Sequence, residues 1–139
     1  MRIVAALSVL VLAACAPTAA RTEANNRQAT ADEAKLASAL RGLVPGETSS
    51  CMPPLARTNY QTEGYGKTIL YKVDRGLIYR SDTSGGCERI ARDDILVTRQ
   101  FSGRQCAGDI ATTVDRVARF TTGSCSFGPF TVYRRPPRS

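Results

Sequence analysis

Four cysteines, Cys51, Cys87, Cys106 and Cys125, are spread through residues 51–139 of a chain that has no histidine. No two of them have the C-x2-C spacing of a zinc site, and the mixed Cys/His ligand sets are excluded, so no metal is expected. An even set of widely spaced cysteines reads instead as two disulfides, provided the chain reaches an oxidising compartment. The same region supplies four phenylalanines, five tyrosines and no tryptophan. So small a core gains much from covalent staples. Four cysteines allow three connectivities. Pairing Cys51 with Cys87 and Cys106 with Cys125 closes loops of moderate size and is the expected arrangement, each bridge contributing about 3–4 kcal/mol under the chain-entropy model.

A fifth cysteine stands apart. Arg2 precedes an apolar run from Ile3 to Leu12, followed by Ala13, Ala14 and Cys15. A basic residue, a short greasy stretch and small residues form an export signal, and the run is far shorter than the ~20 residues a spanning helix needs. Leu12-Ala13-Ala14-Cys15 resembles the lipobox of bacterial lipoproteins. Pro17 would follow the cut of an ordinary secretory signal at Ala14-Cys15-Ala16, where it fits poorly. The resemblance implies that the Cys15 thiol receives a diacylglyceryl group, that residues 1–14 are removed, and that the new amine is acylated. Two or more acyl chains make a stable membrane anchor. It implies a cell-envelope protein facing the periplasm. Ala16, where an aspartate would retain a lipoprotein in the inner membrane, favours the outer membrane.

Residues 15–29 carry no large apolar side chain and are expected to be a flexible tether. Thr30 and Glu33 fit a capping box, and Leu36, Leu40 and Leu43 form one stripe, so a short amphipathic helix is expected over 30–44, closed by Pro45-Gly46. Residues 45–133 read as a β domain. Ile69, Tyr71 and Val73 alternate before the turn Asp74-Arg75-Gly76, and Leu77–Arg80 returns as a hairpin. Ile95–Phe101 reads as the next strand, with Ile95, Val97 and Phe101 facing inward. A weaker strand spans Asp109–Val117, and the last covers Phe127–Tyr133. Residues 134–139 form a basic tail whose prolines keep it out of a sheet interior. The expected fold is therefore mainly β: a small antiparallel sheet or partly closed barrel of five to six short strands, preceded by one short helix and stapled by disulfides.

From Cys51 onward the chain also resembles small cysteine-containing lipoproteins of Gram-negative bacteria. The matching pieces are Cys51, the Ile69–Tyr79 hairpin, Gly86-Cys87, Gln105-Cys106-Ala107-Gly108-Asp109 and Ser124–Phe130. The resemblance implies fold and location and carries no activity.

Without histidine there is no ready proton shuttle near neutral pH, which excludes Ser-His-Asp and Cys-His chemistry. The remaining candidates are the carboxylates Asp93, Asp94, Asp109 and Asp115. Asp93 and Asp94 point to opposite faces of an extended chain and do not naturally share a site. Asp93 and Asp94 read more simply as a loop before the Ile95 strand, and Asp109 as a turn or strand-start residue. There is no C-x-x-C redox pair, and Gly64-Tyr65-Gly66-Lys67 lacks the spacing of a phosphate loop. No enzyme activity and no cofactor are expected.

Charge is the more telling signal. The formal net charge is +7, and residues 51–139 hold fourteen basic and eight acidic residues. Sixteen of the nineteen basic residues are arginine. Arg75, Arg80, Arg89, Arg92, Arg99, Arg104, Arg116 and Arg119 run through the β region. The guanidinium fork suits phosphate and carboxylate, which an envelope protein meets in anionic lipid, lipopolysaccharide and peptidoglycan. The expectation is a non-enzymatic accessory or binding module, held at the membrane by its lipid anchor and contacting such components or an envelope protein. The location disfavours nucleic acid. The alternative is an inhibitor of a periplasmic hydrolase, although a basic inhibitor would repel a basic lysozyme.

Overall fold

The computed structural model describes residues 18–54 and 59–137. The expected leader, its cleavage point and Cys15 lie outside them. The described chain is mainly β, with one α-helix and seven strands in an antiparallel sheet curved into half a barrel. Helix α1 spans Ala19–Ala39. The strands are β1 (Val44–Ser49), β2 (Gln61–Tyr65), β3 (Thr68–Asp74), β4 (Leu77–Thr83), β5 (Ile95–Thr98), β6 (Ile110–Val114) and β7 (Thr121–Arg134). A 3-10 turn, Glu88–Arg92, joins β4 to β5 and packs against β2.

Strand β7 organises the sheet. Along one edge its second half pairs with β4, which continues to β3 and β2. Along the other edge its first half pairs with β6, then β5, while its second half pairs with β1. The sheet therefore has two wings, β2–β3–β4 and β5–β6, meeting on β7.

Strands β1 and β2 carry the count past the five or six expected. Val-Pro-Gly-Glu-Thr-Ser and Gln-Thr-Glu-Gly-Tyr lack apolar alternation, and every residue of β1 is exposed. Their conformation comes from the partner strand rather than from their own side chains. Pro45 is tolerated because β1 is an edge strand with only β7 beside it.

The helix differs from expectation at both ends. It starts at Ala19 rather than Thr30, so the stretch assigned to a tether is helical over its described part beyond Thr18. Thr30 is not a cap: its hydroxyl donates to the Asn26 carbonyl, one turn back. Low apolarity argued for disorder, but no glycine or proline interrupts Ala19–Ala39, which is rich in alanine and other helix formers. Asp32 is its one buried residue, and Leu36, Leu40 and Leu43 are half-buried. Gly42, at φ +77°, ends the turn after it in the left-handed conformation that glycine adopts without strain.

The core lies on the concave face. Ile69, Tyr71 and Tyr79 from the first wing meet Phe127 and Phe130 of β7, Ala111 of β6, Met52, and the Cys87–Cys125 disulfide. Tyr71 sits 6.3 Å from both phenylalanine rings, and its hydroxyl donates to Gln105 Oε1 at 2.9 Å. The alternation read from Ile69, Tyr71 and Val73 holds. In β5 the parity is reversed: Leu96 packs on the core, whereas Val97 is exposed and Phe101 lies in a loop beyond the strand.

The disulfides are Cys51–Cys106 and Cys87–Cys125, not the expected pairs. Cys51 leaves β1 and Cys106 precedes β6, so their bridge stitches end to end the two strands that share an edge of β7. Met52 N–H donates to the Gln105 carbonyl and Ala107 N–H to the Ser50 carbonyl on either side of it. Cys87 pins the β4–β5 connection to β7. That contact needs glycine at Gly86 and Gly123: a Cβ on Gly123 would overlap the Gly86 carbonyl oxygen, and Gly86 has φ +101°. Spacing along the chain favoured the shorter loops. The sheet brings together residues separated by 55 and 38 positions instead.

Candidate interaction surface

The two wings present different convex faces. On the first, Leu70 and Ile78 point away from the core yet are fully buried. Paired polar side chains cover this face. Lys72 Nζ lies 2.9 Å from Glu63, Arg80 pairs with Asp82 at 3.0 Å, and Arg80 also donates to the Tyr133 hydroxyl. The Tyr65 hydroxyl donates to Glu63. Burial and then the Glu63 carboxylate push the Tyr65 hydroxyl up to about 12. Burial tends to raise the Glu63 carboxyl, but its bonds to Tyr65 and Lys72 outweigh that and leave it below its usual range. Helix α1 runs beside β2. Between them is a groove of about 700 Å³ where Arg80, Lys67 and Arg92 face Asp32, Glu33 and Glu88. The groove thus has both signs of charge in its lining.

The second wing is bare. The β5–β6 register places Leu96 opposite Thr113 on the core side, so Ile95, Val97, Ile110 and Val114 share the convex side. Val97 and Ile110 are exposed. Each end of this hairpin carries a loop. The first, Arg99–Arg104, holds Phe101 with 88% of its surface exposed; the second, Asp115–Phe120, holds Val117 at 89% and Phe120 at 57%. Isolated exposed apolar residues are ordinary, but of the seven large apolar side chains exposed among the described residues five fall between Val97 and Phe120.

The four carboxylates singled out from sequence all sit near this wing, and all have partners. Asp94 is buried and accepts from Thr122 Oγ1 and from Arg89 Nε at 2.9 Å. The Thr122 hydroxyl, and the Arg89 guanidinium against the cost of burial, hold its carboxyl below the usual range. Asp93 points out and pairs with Arg116 at 2.9 Å. Asp109 accepts from Cys106 N–H at 2.8 Å. Asp115 accepts from the Val117 and Ala118 amides and lies 3.6 Å from Arg89. The expectation that Asp93 and Asp94 diverge holds. Arg89 brings Asp94 and Asp115 together, but as a brace between two loops. Arg99, Arg104 and Arg119 are exposed and make no ion pair among the described residues.

Gly64–Lys67 forms the tight β2–β3 turn, with Gly66 at φ +56°. Among the described residues no group of three or more His, Cys, Asp or Glu side chains is placed to hold a metal. No described helix is long and apolar enough to cross a membrane. Buried Gln105 has an Nε2 without a hydrogen-bond partner, beside a cavity of about 230 Å³ lined by Met52, Tyr60 and Arg104.

The exposed apolar wing went unrecognised in the sequence. Ile95-Leu96-Val97 puts apolar side chains on both faces of the strand, as Ile69-Leu70-Tyr71 does, and only the structure shows that the outer face is covered in one and open in the other. The candidate surface is thus the exposed outer face of the β5–β6 hairpin, with arginine-bearing loops at its two ends, on a disulfide-stapled half-barrel. The chain matches no family model, no curated protein and no solved structure.

Proposed function

We propose that this chain is a lipid-anchored, non-enzymatic module of the cell envelope that binds anionic envelope components through arginine. The observation that carries the reading is the unequal pairing of charge around β5 and β6. There Asp93, Asp94, Asp109 and Asp115 are tied to neighbours within the fold, whereas Arg99, Arg104 and Arg119 make no ion pair among the described residues. A solvated surface with a surplus of arginine attracts phosphate and carboxylate by long-range field and by forked hydrogen bonds. The two disulfides suit an exported protein. The anchor rests on the lipobox resemblance around Cys15.

The test uses the full chain with Cys15→Ala, which removes the acceptor thiol. In cells this variant is expected to move from the membrane to the soluble fraction. In vitro it is expected to bind phosphatidylglycerol vesicles or lipopolysaccharide at low salt and to release as ionic strength rises. Binding equal on phosphatidylcholine and phosphatidylglycerol, with no salt dependence, rejects the reading.

A further inference from the structure

We infer that the convex face of the β5–β6 hairpin, with its two end loops, is a membrane-docking face that lies flat on an anionic bilayer. Phe101, Val117 and Phe120 enter the interfacial region, and Arg99, Arg104 and Arg119 contact lipid phosphates. The inference rests on the proposed function and names the surface that would perform it.

Three observations converge on it. The first is placement. The loops Arg99–Arg104 and Asp115–Phe120 leave opposite ends of one short hairpin, since β5 and β6 run antiparallel with Thr98 opposite Ala111 and Ile95 opposite Val114. A four-residue strand is about 14 Å long, so the apolar tips stand at the two ends of a short bar. Val97 and Ile110 lie exposed on the bar between them.

The second is shape. Phe101 and Val117 project from loops almost wholly into solvent. A protein partner would need a matching pocket for each, whereas a bilayer interface accepts separated side chains without one. The second loop holds its form when free: Asp115 takes the Val117 and Ala118 amides on its carboxylate and exchanges backbone hydrogen bonds with Phe120 and Arg119. Presenting Val117 and Phe120 therefore costs little ordering.

The third is charge. Each apolar tip has arginine within a few residues: Arg99 and Arg104 beside Phe101, Arg116 and Arg119 beside Val117 and Phe120. Of these, among the described residues, only Arg116 is in an ion pair, with Asp93. From residue 89 to residue 120 six arginines stand against four aspartates, so the region carries net positive charge. That pattern suits lipid phosphate and disfavours a second copy of this chain, which would bring the same charge to the contact.

The chain contains no tryptophan, so a single introduced one reports its own surroundings. Phe101→Trp, Phe120→Trp and, as a control at the end of β7 away from β6, Val44→Trp on exposed strand β1 are made in the full chain with Cys15→Ala. Each is mixed with phosphatidylglycerol vesicles containing acyl-brominated lipid, and separately with phosphatidylcholine vesicles. At positions 101 and 120 we expect a blue-shifted emission and quenching by the bromolipid on the anionic vesicles. Both signals are expected to fall away in high salt, and position 44 to stay water-like. Arg99→Gln, Arg104→Gln and Arg119→Gln should each weaken partitioning about fivefold.

Quenching at only one of positions 101 and 120, at neither, or equally at 44, overturns the docking face. If the protein still binds the anionic vesicles by co-sedimentation in a salt-dependent way, the broader proposal survives and the contact lies elsewhere. If no variant or parent chain co-sediments preferentially with anionic vesicles, both fail together.

Discussion

The two wings of this sheet share a core and differ in what covers their backs. Behind β3 and β4, Leu70 and Ile78 are buried beneath Lys72–Glu63 and Arg80–Asp82 pairs whose aliphatic stems cover apolar surface while their charges cancel. Behind β5 and β6, Val97 and Ile110 have no such cover, and the acids that might have paired with nearby arginines are drawn into loop hydrogen bonds. In the first wing the polar side chains complete the fold. In the second they hold the loops in shape and leave the outer face open. The contrast is what singles out the outer face of the second wing as the candidate surface.

The largest way to break this comparison is to separate the wings. Cys87–Cys125 ties the β4–β5 connection to β7, and both cysteines are buried. Closing a loop with a separation of 38 contributes about 4 kcal/mol under the chain-entropy model. The Cys87→Ala/Cys125→Ala variant is therefore expected to melt roughly 15–30 °C lower, given about 4–8 °C per kcal/mol for a domain this small. Thermal unfolding followed by circular dichroism measures it. A melting point within a few degrees of the parent would mean that the wings hold together through β7 alone.

The core of the first wing could be read from the sequence because its strands alternate. Ile69, Tyr71 and Val73 have one apolar face, and Asp74-Arg75-Gly76 turns the chain as expected. The polar strands β1 and β2 could not, since their pairing is imposed by neighbours and leaves no pattern in their own side chains. Phe101 misled for a related reason. It reads as the inward-facing end of a strand over Ile95–Phe101, and only the actual end of β5 at Thr98, three residues earlier, puts it in a loop. The disulfide pairing is likewise a property of the curled sheet. It brings β1 beside β6 and the β4–β5 connection beside β7, contacts that spacing along the chain does not encode. Asp93 and Asp94 lie in a loop as expected, whereas Asp115 falls past the end of β6 rather than inside a strand over 109–117, and the hydrogen bonds these carboxylates accept are visible only in three dimensions.

A smaller effect sharpens the electrostatic half of the comparison. Asp94 braces the second wing, and its carboxyl is held below its ordinary value by Thr122 and Arg89. A depressed folded-state value means the stabilisation is present above the unfolded-state pKa, about 3.9, and is lost as pH falls through the lower folded-state one. The parent should therefore lose stability on acidification in that window, and Asp94→Asn should show a shallower loss there. Denaturant melts between pH 6 and pH 2 check the slope. An unchanged acid limb in the variant would remove Asp94 as the brace.

The smallest effect is also the sharpest contrast. Ile78 and Val97 both point to the convex side of the same sheet, one with 2% of its surface exposed and the other with 45%. Ile78→Thr removes buried apolar surface and places a hydroxyl under the Lys72 and Arg80 layer, so a loss of about 2–3 kcal/mol is expected. Val97→Thr exchanges a methyl for a hydroxyl already in water and keeps the β-branched shape that suits a strand, so its change should stay within about 0.5 kcal/mol. Urea titration of the two variants side by side measures both. A large loss at Val97 would mean that its side chain supports the fold, and the second wing would then have no spare apolar face to offer a bilayer.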